Sequence, residues 1–162
     1  MQSIALQIQE KAKETRGMFH RLVVVVGPSG CGKTNALQQL QQEKNWPLLN
    51  LSQVLSEKLL DLTSKQRRLR TGEFIREIIE EQRNQTVTML DNIGLLFHPA
   101  LQQEPMMALQ RASRNRTVIA AWQGEVVGNK ITYGSPEHPE YQRIDLNDIQ
   151  TVTAHSSGLA GA

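Results

Sequence analysis

A single cysteine, Cys31, excludes an internal disulfide and fits a reducing compartment, so the cytoplasm is the expected setting. Long apolar runs are missing as well. The longest purely apolar run, residues 22–26, is far short of the roughly 20 residues a membrane helix needs, and residues 1–10 lack the apolar stretch of a signal peptide. Charge of one sign is also scarce: a formal net charge of +2 is too small for a nucleic-acid coat, and any basic partner surface must be local. His20, His98, His138 and His155 are scattered without metal-ligand spacing, which predicts no zinc site. No internal repeat divides the chain, and 162 residues with 39% hydrophobic content suit one domain that buries its own core.

What is present is an alternation of strands and helices. Ile4, Ala5, Ile8 and Ala12 recur at helical spacing, predicting a leading amphipathic helix over 2–16, with residues 1–20 as a segment packed on the domain. The β-branched run 22–26 reads as a fully buried parallel strand, and residues 33–43 as the helix after it. A second strand is expected at 48–51, set off by Pro47, and Ser52 is placed to cap a helix to about residue 62. Ser64 is the expected cap of a charged helix over 64–83, which Thr71 and Gly72 could break. A third strand is predicted at 86–90 ending on Asp91, then a helix at 101–112 and a fourth strand at 117–122. Gly128-Asn129 marks a turn into a fifth strand at 130–133. Beyond Gly134 irregular chain is expected, with a short strand around 149–153 and a disordered tail at 154–162. This order predicts a three-layer α/β/α fold over 21–153, with a mainly parallel five-stranded sheet and no helical lid.

Gly27-Pro28-Ser29-Gly30-Cys31-Gly32-Lys33-Thr34 is a P-loop, two glycines four residues apart followed by Lys and Thr. The glycines let successive N–H groups converge on one anion, and the positive end of the following helix adds to the attraction. Lys33 is expected to reach the β- and γ-phosphates, the Thr34 hydroxyl to bind Mg²⁺, and Asn35 to complete the binding segment. The predicted cofactors are therefore ATP and Mg²⁺. Cys31, among inward-pointing amides, is read as a small residue that fits or as a reactive thiol that nucleotide shields.

Asp91 stands where a second metal carboxylate belongs, able to hold the Mg²⁺ shell opposite Thr34. Next to it is Asn92, where hydrolytic P-loop proteins with an additional strand between the loop strand and the Asp91 strand usually carry a water-activating glutamate. An amide orients water without taking its proton, so slow turnover is expected, with Glu125 and Glu104 as weak substitutes. Gln123, closing the fourth strand, is the candidate to reach between phosphate and water. Arg111, Arg114 and Arg116 cluster before that strand and are read as a solvated helix end or, for Arg114 and Arg116, as an arginine finger for a neighbouring subunit. Lys65, Arg67, Arg68 and Arg70 are the densest basic run and the candidate DNA contact, without interleaved aromatics. No aromatic is clearly placed to stack on a base; Tyr133 is the nearest candidate.

Two resemblances compete. Gly72-Glu73-Phe74-Ile75-Arg76-Glu77 looks like the glycine, glutamate and arginine helix of the shikimate kinase family, which implies a small-molecule kinase. No acidic pair follows the second strand, however, and no arginine-bearing lid is evident. The order of P-loop strand, second strand, Asp91 strand and Trp122-Gln123 strand resembles the additional-strand ATPases that include the AAA+ group. Within that order, residues 114–124 and 133–141, with His138-Pro139-Glu140-Tyr141, look like the BrxF family of short P-loop proteins in BREX bacteriophage-defence systems. That resemblance covers about residues 22–141. It implies a bacterial cytoplasmic ATPase acting beside a large BREX ATPase, a DNA methyltransferase and a phosphatase-like protein, and because additional-strand ATPases commonly complete their sites across subunits, a homo-oligomer is expected. A nucleotide-gated scaffold that binds without hydrolysis is the reading Asn92 favours.

Overall fold

The computed structural model describes residues 3–82, 86–134, 137 and 141–155. Five helices and seven strands follow in chain order: α1 Ile4–Glu14, β1 Leu22–Gly27, α2 Lys33–Lys44, β2 Leu48–Asn50, α3 Leu51–Leu59, α4 Ser64–Glu80, β3 Val87–Asp91, α5 Pro105–Ala112, β4 Thr117–Val127, β5 Lys130–Tyr133, β6 Gln142–Asp145 and β7 Gln150–Thr153. The strands form one sheet whose parallel part runs β2-β3-β4-β1-β7.

Every residue of β1 is buried, which requires cover on both faces. Leu22, Val24 and Val26 face a core with Leu55, Ile75, Ile78 and Leu109 of α3, α4 and α5. Val23 and Val25 point the other way, against Ile8 of α1 and Leu37 and Leu40 of α2. The period of two in the strand thus divides the molecule into three layers. β4 lies between β1 and β3, so the fold is a three-layer α/β/α P-loop fold of the additional-strand order. Among the described residues no helix is long and apolar enough to cross a membrane.

The parallel part has five strands, but its fifth is β7 rather than 130–133. Gly128 at φ +60 turns the chain back on itself, so β5 pairs antiparallel with β4, and β6 extends the ribbon. β4 runs on to Val127 to make that ribbon, past the expected end at residue 122. β6 has one apolar residue, Ile144, among Gln142, Arg143 and Asp145, and so little periodic signal. Of the expected tail, Ala154 is buried, with its N–H donating to the Val26 carbonyl at 2.7 Å, and 156–162 lie outside the described residues.

The caps shift by one or two residues. Asn50, not Ser52, caps α3 by accepting from the Gln53 N–H at 3.0 Å. Thr63, not Ser64, caps α4 in a reciprocal box with Gln66. The expected helix at 101–112 is split, because Pro105 fits the first turn of α5 but not a helix interior. α4 runs unbroken through Thr71 and Gly72, with the Thr71 hydroxyl donating to the Arg67 carbonyl at 2.6 Å. A Cβ at Gly72 would meet nothing within 4 Å. Gly72→Ala is therefore expected to stabilise the fold by about 0.5–1 kcal/mol, raising the melting temperature by roughly 2–3 °C. A differential-scanning melt checks this, and a fall in melting temperature would show that the glycine serves something other than the helix.

Candidate functional site

Parallel strands bring their carboxyl ends to one edge, and there β1, β3 and β4 deliver Gly27, Asp91 and Gln123. Gln123 is in register with Gly27, and Asp91 with Asn50 of β2. A cavity of about 340 Å³ opens on this edge, lined by the phosphate loop from Ser29, by Thr34 and Asn35, and by Asp91, Asn92, Gln123 and Tyr133.

The loop's glycines are fixed by geometry. A Cβ at Gly27 would lie 2.4 Å from the Ala154 carbonyl oxygen and 2.6 Å from Cys31 Sγ. Gly30 and Gly32 take φ of +78 and +97, the left-handed region, and a Cβ on either would project into open space. At Gly30 and Gly32 no side chain stands in the way of an approaching anion. Lys33 Nζ donates to the carbonyls of Gly27 at 2.8 Å and Pro28 at 2.7 Å, which holds the ammonium over the loop. Cys31 is 2% exposed, with Sγ accepting from Lys33 Nζ at 3.6 Å. A thiol packed beneath the loop is closed to alkylating reagents, so the shielded reactive thiol does not fit this conformation, and Cys31 is a small packed residue.

Thr34 and Asp91 come together from α2 and β3. The Thr34 hydroxyl donates to Asp91 Oδ2 at 2.9 Å, while Oδ1 accepts from the Asn92 N–H at 2.9 Å. One hydroxyl and one carboxylate side by side at an anion cradle fit Mg²⁺, a hard cation that takes one or two carboxylates and completes its shell with water and phosphate oxygens. Among the described residues no group of three His, Cys, Asp or Glu gathers.

Asn92 has φ +49, a conformation asparagine tolerates better than most residues. Its Nδ2 donates to Asn50 Oδ1 at 3.0 Å, and its carbonyl accepts from both the N–H and the hydroxyl of Ser52, at 2.9 and 2.6 Å. Asn50 and Ser52 thus brace the turn after β3. Sequence reasoning read them only as a strand end and a helix cap, because their partners lie some forty positions away. Gln123 is exposed and stands between Gly27 and Asp91 along the edge. Glu104 and Glu125 are not among the cavity's lining residues. Tyr133 stacks on Phe97 with ring centroids 3.4 Å apart and planes 2° from parallel, and Trp122 meets both edge-on. One face of Tyr133 is therefore taken by Phe97.

The arginines lie at the other end of the sheet. Arg116 precedes β4, and the strand's rise puts it about 20 Å from Gln123. Its Nη1 donates to the carbonyls of Ile79, at 3.0 Å, and Gln82 at the end of α4. Arg114 lies over the Phe19 ring at 4.5 Å. None of Arg111, Arg114 and Arg116 is among the residues lining this chain's cavity. In the basic run, Arg67 donates to the carbonyls of Leu59 and Leu60, closing α3. Arg70 bonds Glu73, which with Arg76 nearby holds that carboxyl below the usual range, and packs on Phe74. Two of the run's four basic side chains thus serve the fold. His138-Pro139-Glu140 lies outside the described residues.

No family model and no curated protein matches the chain. Among solved structures it is similar to C. elegans PCH-2, at 16% identity and a TM-score of 0.42, over 94% of this chain and 40% of that one. The chain thus spans less than half of that protein's length.

Proposed function

We propose that this domain binds Mg-ATP at the phosphate loop and hydrolyses it slowly, with faster turnover on self-association. The observation that carries the reading is the 2.9 Å contact between Thr34 and Asp91 beside the glycine-bearing loop. Main-chain N–H groups and Lys33 would hold the phosphates, and Thr34 and Asp91 would hold the ion. When bound, the ion supplies charge neutralisation on the phosphate oxygens. Gln123, in the cavity wall, would orient a water. Asn92 cannot take that water's proton, which supports slow turnover, or in the limit a nucleotide-gated scaffold.

The BrxF resemblance adds a setting: a cytoplasmic defence assembly with a large BREX ATPase, a methyltransferase and a phosphatase-like protein. The residues that support it are the 114–124 and 133–141 segments together with the short P-loop domain. Arg114 or Arg116 as a finger would act only on a neighbouring copy's site, which ties that role to self-association.

Titration calorimetry with ATP, with and without Mg²⁺, and phosphate release over a range of protein concentrations test the reading. Wild type should bind only with Mg²⁺, and its specific activity should rise with concentration. Lys33→Ala should weaken binding by about ten- to a hundredfold, the loss of charge-assisted bonds to phosphate. Equal affinity in the two proteins would refute the site.

A further inference from the structure

The edge of the sheet opposite the cavity gathers guanidinium groups that do not line this chain's own nucleotide site. Arg76 of α4, Arg111 of α5, and Arg114 and Arg116 of the following connection line a recess of about 240 Å³, with Glu80 the one acidic residue among the described residues of its wall. None of these four arginines is in an ion pair among the described residues. Arg116 answers the carbonyls ending α4, and Arg76 lies in the field of Glu73, so Arg111 and Arg114 carry the least compensated charge.

An aromatic stands beside them. Phe19 is 66% exposed, with the Arg114 guanidinium over one face and the His20 ring edge-on at 4.8 Å. Phe19, Met18 and His20 line a second recess of about 510 Å³, whose wall includes Asp148. An exposed ring next to guanidiniums combines the two parts of a single-strand site: a platform on which a base stacks and cations that follow the backbone.

We propose that this edge binds single-stranded nucleic acid, with backbone phosphates in the arginine recess and a base against Phe19. The 65–70 run is the lesser candidate, since Arg67 and Arg70 are engaged in the fold. A duplex keeps its bases stacked inside and gives Phe19 nothing to stack on. The two sites lie at opposite ends of β1 and β4, so nucleotide and nucleic acid can be held at once.

Fluorescence anisotropy with a labelled oligothymidylate of roughly 20 nucleotides, over a range of salt, tests the proposal. Arg111→Ala with Arg114→Ala should weaken binding at least about tenfold and reduce the log–log salt slope by about 1.4, roughly 0.7 per lost phosphate contact. Phe19→Ala should weaken it by about tenfold with the slope unchanged. Arg111→Lys with Arg114→Lys should keep the slope, and serves as the readout if the alanine pair melts abnormally. Lys65→Ala with Arg68→Ala should bind like wild type. The proposal is overturned if wild type shows no salt-dependent binding, if the arginine pair binds like wild type, or if the loss falls on Lys65 and Arg68. Duplex DNA bound as tightly as the single strand, with Phe19→Ala silent, also overturns it. Each outcome is independent of nucleotide binding at Lys33.

Discussion

Gly124→Ala is expected to destabilise the domain by about 3 kcal/mol or more, lowering the melting temperature by roughly 10 °C. A Cβ there would sit 1.7 Å from the Thr132 carbonyl oxygen and 2.8 Å from its carbon, backbone atoms of the partner strand that move only if the ribbon opens. Opening it removes the acceptor of the fully buried Trp122 indole, whose Nε1 donates to that same oxygen at 2.8 Å. A buried donor left unpaired adds about 1–3 kcal/mol. The effect should reach the cavity, because Tyr133 leaves with β5 and takes its stack on Phe97 with it. Thermal unfolding followed by tryptophan fluorescence would register both the loss of stability and a changed environment for Trp122. A variant that melts within about 1 kcal/mol of wild type would mean that β4 and β5 separate without cost, contrary to this packing.

What could be read from the residues follows the range of the forces involved. The phosphate loop was legible because glycines, lysine and threonine act within eight consecutive positions, and the run 22–26 because a strand covered on both faces needs apolar side chains throughout. Asp91 was legible as a carboxylate closing a strand, where it accepts from the Thr34 hydroxyl. Gln123 was placed on the same edge because register carries β4 to Gly27. The ribbon was half legible: Gly128-Asn129 announces a turn, but nothing in Gln142-Arg143-Ile144-Asp145 announces the strand that completes it. β7 was foreseen as a strand but not as the neighbour of β1, since a short polar strand does not name its partner. Which basic residues serve the fold was illegible, because Arg67 meets Leu59 and Arg116 meets Ile79 only through tertiary contacts.

The turn after β3 joins stability to chemistry, and Asn92→Glu separates them. Glutamate at φ +49 carries more backbone strain than asparagine, and the amide donor to Asn50 is lost, so a cost of about 1–2 kcal/mol is expected. The Asn92 backbone, held by Ser52, keeps its place beside Asp91, so the new carboxylate enters at the cavity wall. A positioned general base contributes about 10²–10⁴-fold, and even the low end should raise the rate of phosphate release roughly a hundredfold. Asn50 can turn its own amide toward the introduced carboxylate, since its Oδ1 caps α3 while Nδ2 is a donor suited to an oxygen. Asn50→Ala with Asn92→Glu should therefore give less of the gain than Asn92→Glu alone. Single-turnover phosphate release at saturating Mg-ATP measures the chemical step apart from binding. If Asn92→Glu binds Mg-ATP, melts within the stated cost and releases phosphate no faster than wild type, the missing base is not what limits turnover.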